Sequence, residues 1–139
     1  MSDSPDIPKN PPEDMPSMIA DHMEAGFLEN IIDMFKHDSG LFLLLGQLMA
    51  DERGRVRLGA VALVEELKEE YGNEIIKAIP HIGKLLKDPA PVIRADAAYL
   101  LGIIGSKDAF PYLTDALSDE NRLVRQTVSE TIEDMSGTG

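Results

Sequence analysis

Asp88–Gly105 reads DPAPVIRADAAYLLGIIG. Ile93, Ala97, Leu100 and Ile104 recur at spacings of three and four, which puts them on one face of a helix and excludes a strand. Asp88 stands just ahead of that helix, where a side-chain oxygen meets free backbone N–H groups and the positive end of the dipole. Pro89 directly after it suits a first helical position. The same signature occurs twice more, in Asp51–Leu67 (DERGRVRLGAVALVEEL) and Asp119–Met135 (DENRLVRQTVSETIEDM). Each Asp is followed six residues later by Arg, giving the pairs Asp51 and Arg57, Asp88 and Arg94, Asp119 and Arg125. Val56, Ala60, Leu63 and Leu67 form the apolar face of the first copy, and Val124, Val128, Ile132 and Met135 that of the third.

A shorter segment precedes each of these helices. The stretches 41–51 (LFLLLGQLMAD), 78–88 (AIPHIGKLLKD) and 109–119 (AFPYLTDALSD) share one eleven-residue frame ending in Asp. The chain is therefore an internal repeat of helix, turn at Asp, and longer helix. The expected pairs are 40–49 with 53–70, 74–86 with 90–104, and 108–117 with 121–135. From Asp51 to Asp88 is 37 residues, and from Asp88 to Asp119 is 31. The six extra residues, around Tyr71–Ile76, predict an extended helix kinked at Pro80. Pro111 falls in a first turn, where its missing N–H costs little. Upstream, Ile19, Met23, Phe27, Ile31 and Phe35 recur at spacing four. They predict a helix over 17–36 capped by Asp14 or Ser17, with Gly26 inviting a break into two.

The three Asp–Arg stretches resemble the HEAT repeat, and more narrowly its phycobilisome-lyase HEAT-like subtype. The middle stretch matches best, and the third carries Val128 where Ala is usual. The resemblance covers about 40–135. It implies an all-α, right-handed α-solenoid of about three HEAT-like helix pairs with an N-terminal capping helix. The units would be about 40–71, 74–105 and 106–136, inside a single domain over 17–136. Three units are about the fewest that make such a stack. The resemblance also implies a hydrogen-bonded ladder along the turns, built from Asp51, Arg57, Asp88, Arg94, Asp119 and Arg125, and a concave surface lined by the second helices. Thr127, Ser129, Thr131 and Glu133 make the last helix polar enough to close the stack.

Composition narrows the function. Thirteen Lys and Arg stand against 25 Asp and Glu, a formal net charge of −12. That disfavours nucleic acid, which requires a basic face, and an anionic membrane surface. There is no cysteine, hence no disulfide, zinc-thiolate site or cysteine nucleophile. Residues 1–16, MSDSPDIPKNPPEDMP, hold five of the nine prolines and read as a disordered acidic arm. They contain no apolar core of a targeting signal. The longest apolar run, such as Leu41–Leu45, is five residues, against about 20 for a membrane span. The expected location is the cytoplasm.

No catalytic constellation is evident, and no cofactor or metal is expected. His22, His37 and His81 form no H-E-x-x-H helix. HEAT-like repeats carry iron chemistry in deoxyhypusine hydroxylase through His-Glu dipeptides, and here no His precedes Glu. The Gly-rich phosphate loops are absent. Gly102 and Gly105 read as close helix packing and a helix C-cap. Glu65, Glu66, Glu69 and Glu70 read as a solvated helix end. Met15, Met18, Met23, Met34 and Met49 read as core, with an adaptable binding surface as the alternative.

The expected function is a non-enzymatic protein-interaction or scaffold module. Its partner would be a protein or peptide, basic by charge complementarity, bound on the second helices. Counting two, five and nine residues on from each Arg gives Gly59, Ala62 and Glu66; Asp96, Tyr99 and Ile103; Thr127, Glu130 and Asp134. The partner-binding candidates are Glu66, Asp96, Tyr99, Ile103, Glu130 and Asp134, an acidic surface with one aromatic anchor. The alternatives are an accessory or chaperone-like subunit of an enzyme, such as a chromophore-lyase-type subunit, and a self-associating domain.

Overall fold

The computed structural model describes residues 14–137. Among them there are nine α-helices, joined by turns and short 3₁₀ segments, and no strand. The acidic arm expected over 1–16 lies mostly outside the described residues. Within the described residues, Met15 already begins a helix.

The expected capping helix is two helices, α1 (Met15–Glu24) and α2 (Leu28–His37). Gly26 divides them at φ +95°. Its N–H donates to the Met23 carbonyl at 3.1 Å and the Phe27 N–H to the His22 carbonyl at 2.9 Å. These two bonds are the glycine-terminated helix end that satisfies orphan carbonyls, and the His22 and Phe27 rings, 6.0 Å apart, supply its side-chain contact. Asp14 precedes α1 without making a side-chain capping bond, and Ser17 lies inside the helix as its third residue. Pro16 in the first turn already removes one of the donors such a cap would serve.

Three helix pairs follow. A 3₁₀ segment, Ser39–Leu44, runs into α3 (Leu45–Met49), which pairs with α4 (Gly54–Leu67). The extra residues of the middle unit form their own short helix, α5 (Gly72–Ile76), in place of an extension of α4. Pro80 sits in the first turn of a new helix, α6 (Ile79–Gly83), so no kink is needed. A 3₁₀ turn, Lys84–Lys87, leads to α7 (Pro91–Ile104). Pro91, not Pro89, takes the first position of α7. The last pair is α8 (Phe110–Asp115) with α9 (Arg122–Gly137).

The long helices form one layer in which α1 packs on α4, α4 on α7, and α7 on α9. The short helices form the other, with α3 against α6 and α8 against the 3₁₀ turn that follows α6. One continuous apolar core lies between the layers, from Ile19 to Val128. Phe35 and Phe42 meet edge to face at 5.1 Å, and Tyr71 lies 5.7 Å from Phe42. This aromatic group fastens α2 to the first pair. Of the five methionines expected in the core, Met23 and Met49 are buried in it and Met15 and Met34 pack against it, while Met18 is half-buried on α1.

Glycines set how closely the units approach. Gly46 of α3 lies against the backbone and Cβ of His81, and Gly83 of α6 lies under the ring of Tyr112. His81 and Tyr112 occupy the fourth position of the eleven-residue frame, and Gly46 and Gly83 the sixth. In the other layer Gly102 admits the Thr131 methyl group. Thr131 is thus buried against α7 and does not help make the terminal surface polar. Gly105, at φ +72°, ends α7 with its N–H on the Leu101 carbonyl at 3.0 Å.

Candidate functional site

The turn before each long helix is built from its Asp. Asp51 accepts from the Arg53 N–H at 2.8 Å, Asp88 from Ala90 at 2.9 Å, and Asp119 from Asn121 at 2.9 Å. These are Asx turns placed just ahead of the helices, not helix caps proper. Asn121 is the residue that caps α9, accepting from the Val124 N–H at 3.1 Å.

The arginines six residues on reach back to the same turns. Arg57 Nη1 donates to the carbonyls of Asp51 and Glu52 at 2.7 and 3.0 Å. Arg94 Nη1 donates to those of Asp88 and Pro89 at 2.7 and 3.2 Å. Arg125 Nη1 donates to that of Asp119 at 2.8 Å. Arg94 then crosses to the next unit as a two-pronged fork, Nε and Nη2 on the Asp119 carboxylate at 2.9 and 3.0 Å.

The first rung differs from the expected ladder. Arg57 Nε donates to Asp96 at 2.8 Å, not to Asp88. Asp96 lies two residues after Arg94, and the same position holds Gly59 in the first unit and Thr127 in the third. Only the middle unit offers a carboxylate there. Asp51, at the head of the series, is gripped by Arg53 through Nε and Nη2 at 2.9 and 3.0 Å, and Arg53 also reaches Asp21 of α1 at 3.0 Å. Arg53 is therefore the link to the N-terminal helices and not an isolated surface charge.

All six arginines of the chain stand at 53, 55, 57, 94, 122 and 125, at the start of the long helices. No acidic residue occupies the first turn of α4, α7 or α9, and no basic residue the last. This opposes the helix dipole, at roughly 0.3–1 kcal/mol per exposed charge. Arg57 and Arg94 are 7% exposed and are explained by the ladder. Arg55 and Arg122 are exposed, and their placement has no structural partner among the described residues. Charge order along each helix was readable in the sequence and marks this edge as distinct.

The ion pairs shift two carboxylates. The Arg94 fork holds the Asp119 carboxyl below its ordinary value of 3.8, and the Arg53 side chain does the same to Asp51. A lowered folded-state value contributes stability above the unfolded value, and that contribution is lost as pH falls through 3.8 toward the folded one. The melting midpoint is therefore expected to drop between pH 5 and pH 3, and Asp119→Asn to flatten part of that drop. Parallel pH profiles for the variant and the native chain would contradict the assignment.

The candidate partner surface is only partly as expected. Tyr99 is 50% exposed, and Glu66, Glu130 and Asp134 are exposed. Asp96 is engaged by Arg57. Ile103 is half-buried at the far end of α7, where its carbonyl accepts from Lys68 Nζ at 3.2 Å and its side chain lines a cleft with Asp134. Gly59 is covered by Met23 of α1. Three apolar side chains were missed: Leu58, 69% exposed, and the exposed Val92 and Leu123. Relative to each Arg, Val92 and Leu123 stand two before, Leu58 one after and Tyr99 five after. Those offsets differ by three and four and share a helix face. Exposed Arg55 stands at the same offset as Val92 and Leu123. The apolar side chains therefore lie between a basic residue at the start of α4 and the carboxylates Glu66, Glu130 and Asp134 further along the helices.

Residues 43–133 match the HEAT repeats family model, and the chain belongs to the HEAT-repeat family. HEAT repeats generally mediate protein–protein interaction. No curated protein matches the chain. No helix among the described residues is long and apolar enough to cross a membrane.

Proposed function

We propose that the chain is a non-enzymatic module that binds another protein or peptide on the exposed face of α4, α7 and α9. The observation that carries this is that Leu58, Val92, Tyr99 and Leu123 are exposed on a layer whose other large apolar side chains are buried or half-buried. An aromatic anchor among aliphatic side chains is the usual composition of an interface centre, with charges at its rim. Glu66, Glu130 and Asp134 at that rim, with the net charge of −12, favour a basic partner through steering and complementarity. The same surface would serve an accessory or chaperone-like subunit, including one of the chromophore-lyase type to which the subtype resemblance points.

The test is capture from native lysate on immobilised native chain and on a Leu58→Ala, Tyr99→Ala double variant of unchanged melting midpoint. A protein retained by the first should be lost by the second, since each anchor contributes on the order of 1–2 kcal/mol. Its affinity should fall between 0.1 M and 1 M salt without vanishing, as the Debye length shortens from about 10 Å to about 3 Å. Equal retention by both chains would exclude this face as the binding surface.

A further inference from the structure

Among the described residues the ladder stops at Arg125. Arg57 and Arg94 each hold a turn carbonyl with Nη1 and use the rest of the guanidinium on a carboxylate of the next unit. Arg125 keeps the first half of that arrangement, with Nη1 on the Asp119 carbonyl at 2.8 Å. Its Nε and Nη2 meet no carboxylate among the described residues, and the side chain is exposed. The guanidinium is thus already oriented, with its outward edge unmatched. Leu117 tells the same story. At the ninth frame position Met49 is 0% exposed and Leu86 5%, while Leu117 is 43% exposed.

The neighbouring residues define what fits this end. Thr114 stands where Gly46 and Gly83 admit the next unit's first helix. A Cβ there excludes an approach of that closeness. Ser129 replaces the buried Val61 and Ala98 at the next contact point. A fourth unit of the same kind would therefore seat poorly. A slimmer occupant, a turn or extended segment, does not need the close helix approach that Thr114 blocks. The nearby Asp119 and Glu120 do not bar an incoming carboxylate. Asp88 and Glu120 stand near Arg94 in the same way, and Asp119 still closes on it.

We propose that Arg125 and Leu117 form a second docking surface, for a partner segment that presents an Asp or Glu carboxylate in a turn beside an apolar side chain. Charge-assisted, two-pronged pairing of Arg with carboxylate gives such a contact its direction, and Leu117 supplies the apolar area. The surface is independent of the face carrying Tyr99, so either can fail without the other.

The probe is an acetylated, amidated peptide with the sequence of residues 116–121, ALSDEN, the turn that presents Asp119 to Arg94. It is titrated into isotope-labelled full-length chain while the arginine Nε–Hε resonances and the Leu117 methyl groups are followed by NMR. A saturable shift confined to Arg125 and Leu117 is expected, with Arg55 and Arg122 unmoved. The peptide carrying Asp119→Asn, and the chain carrying Arg125→Gln, should each weaken binding by about tenfold. Absence of any shift at about 10 mM peptide, a concentration that would reveal even very weak binding, overturns the proposal. So do equal shifts at Arg55, Arg122 and Arg125, or equal binding of the Asn peptide. A concentration-dependent rise in mass that Arg125→Gln abolishes would assign this end to a second copy of the chain and overturn the segment as occupant.

Discussion

Arg94→Ala is expected to lower the melting midpoint more than alanine at any other arginine. The guanidinium is buried, and the Asp119 side chain it holds is only 9% exposed. Removing Arg94 leaves that little-exposed carboxylate with one backbone bond, from Asn121, to hold it. It also strands the carbonyls of Asp88 and Pro89. Loss of one member of a buried ion pair costs about 3–5 kcal/mol, roughly 10 °C or more for a domain of this size. Arg57→Ala should cost less, because the Asp96 side chain is 41% exposed and water can replace the lost bond. Arg53→Ala removes contacts to Asp51 and Asp21 that are partly exposed and should rank third. Arg122→Ala should lie within about 0.5 kcal/mol of the native chain, as surface substitutions usually do. Urea or thermal melts of the four variants check this order, and equal shifts would show that the ladder carries no stability of its own.

Gly46→Ala is expected to destabilise despite improving the helix. In an open helix interior the exchange favours Ala by roughly 1 kcal/mol. Here the new Cβ would lie 2.9 Å from the His81 Cβ and 3.0 Å from the His81 carbonyl oxygen. Backbone cannot move aside as a side-chain tip can, so α3 and α6 must separate. Such overpacking costs about 1–3 kcal/mol, leaving a net loss of up to about 2 kcal/mol. Gly83→Ala meets the Tyr112 ring, which is half-buried and can turn outward, and should cost less. Gly72→Ala is the control, with nothing within 4 Å of its added Cβ. If Gly46→Ala melts no lower than Gly72→Ala, the close approach of the first two units is not what spaces them.

The candidate site divides the same way between pattern and packing. Exposure at Tyr99, Glu66, Glu130 and Asp134 was legible because helical period alone sets which side of a helix a residue takes. Leu58, Val92 and Leu123 were not, because an apolar residue at a helical spacing reads as core until the neighbours that would cover it are known to be missing. Asp96 is the converse: a half-exposed carboxylate that looks available, and is held by an arginine 39 residues earlier in the chain.

The order of helices, their pairing and the turn chemistry follow from local pattern. Apolar spacing of three and four, Asp ahead of each long helix and Arg six residues on are relations within a few turns of chain, and the same local physics acts wherever they recur. Which carboxylate each arginine takes was beyond such reading. Arg94 closes on Asp119 and Arg57 passes over Asp88 for Asp96. That choice depends on which carboxylate the packing brings opposite each guanidinium, and Asp96 stands where the first and third units hold Gly59 and Thr127. Arg125 carries the same local signature as the other two, and only the absence of a following unit among the described residues leaves half of its guanidinium unmatched. A side chain's own sequence neighbourhood specifies its direction; its partner is specified by whatever residues distant in sequence the packing brings opposite it.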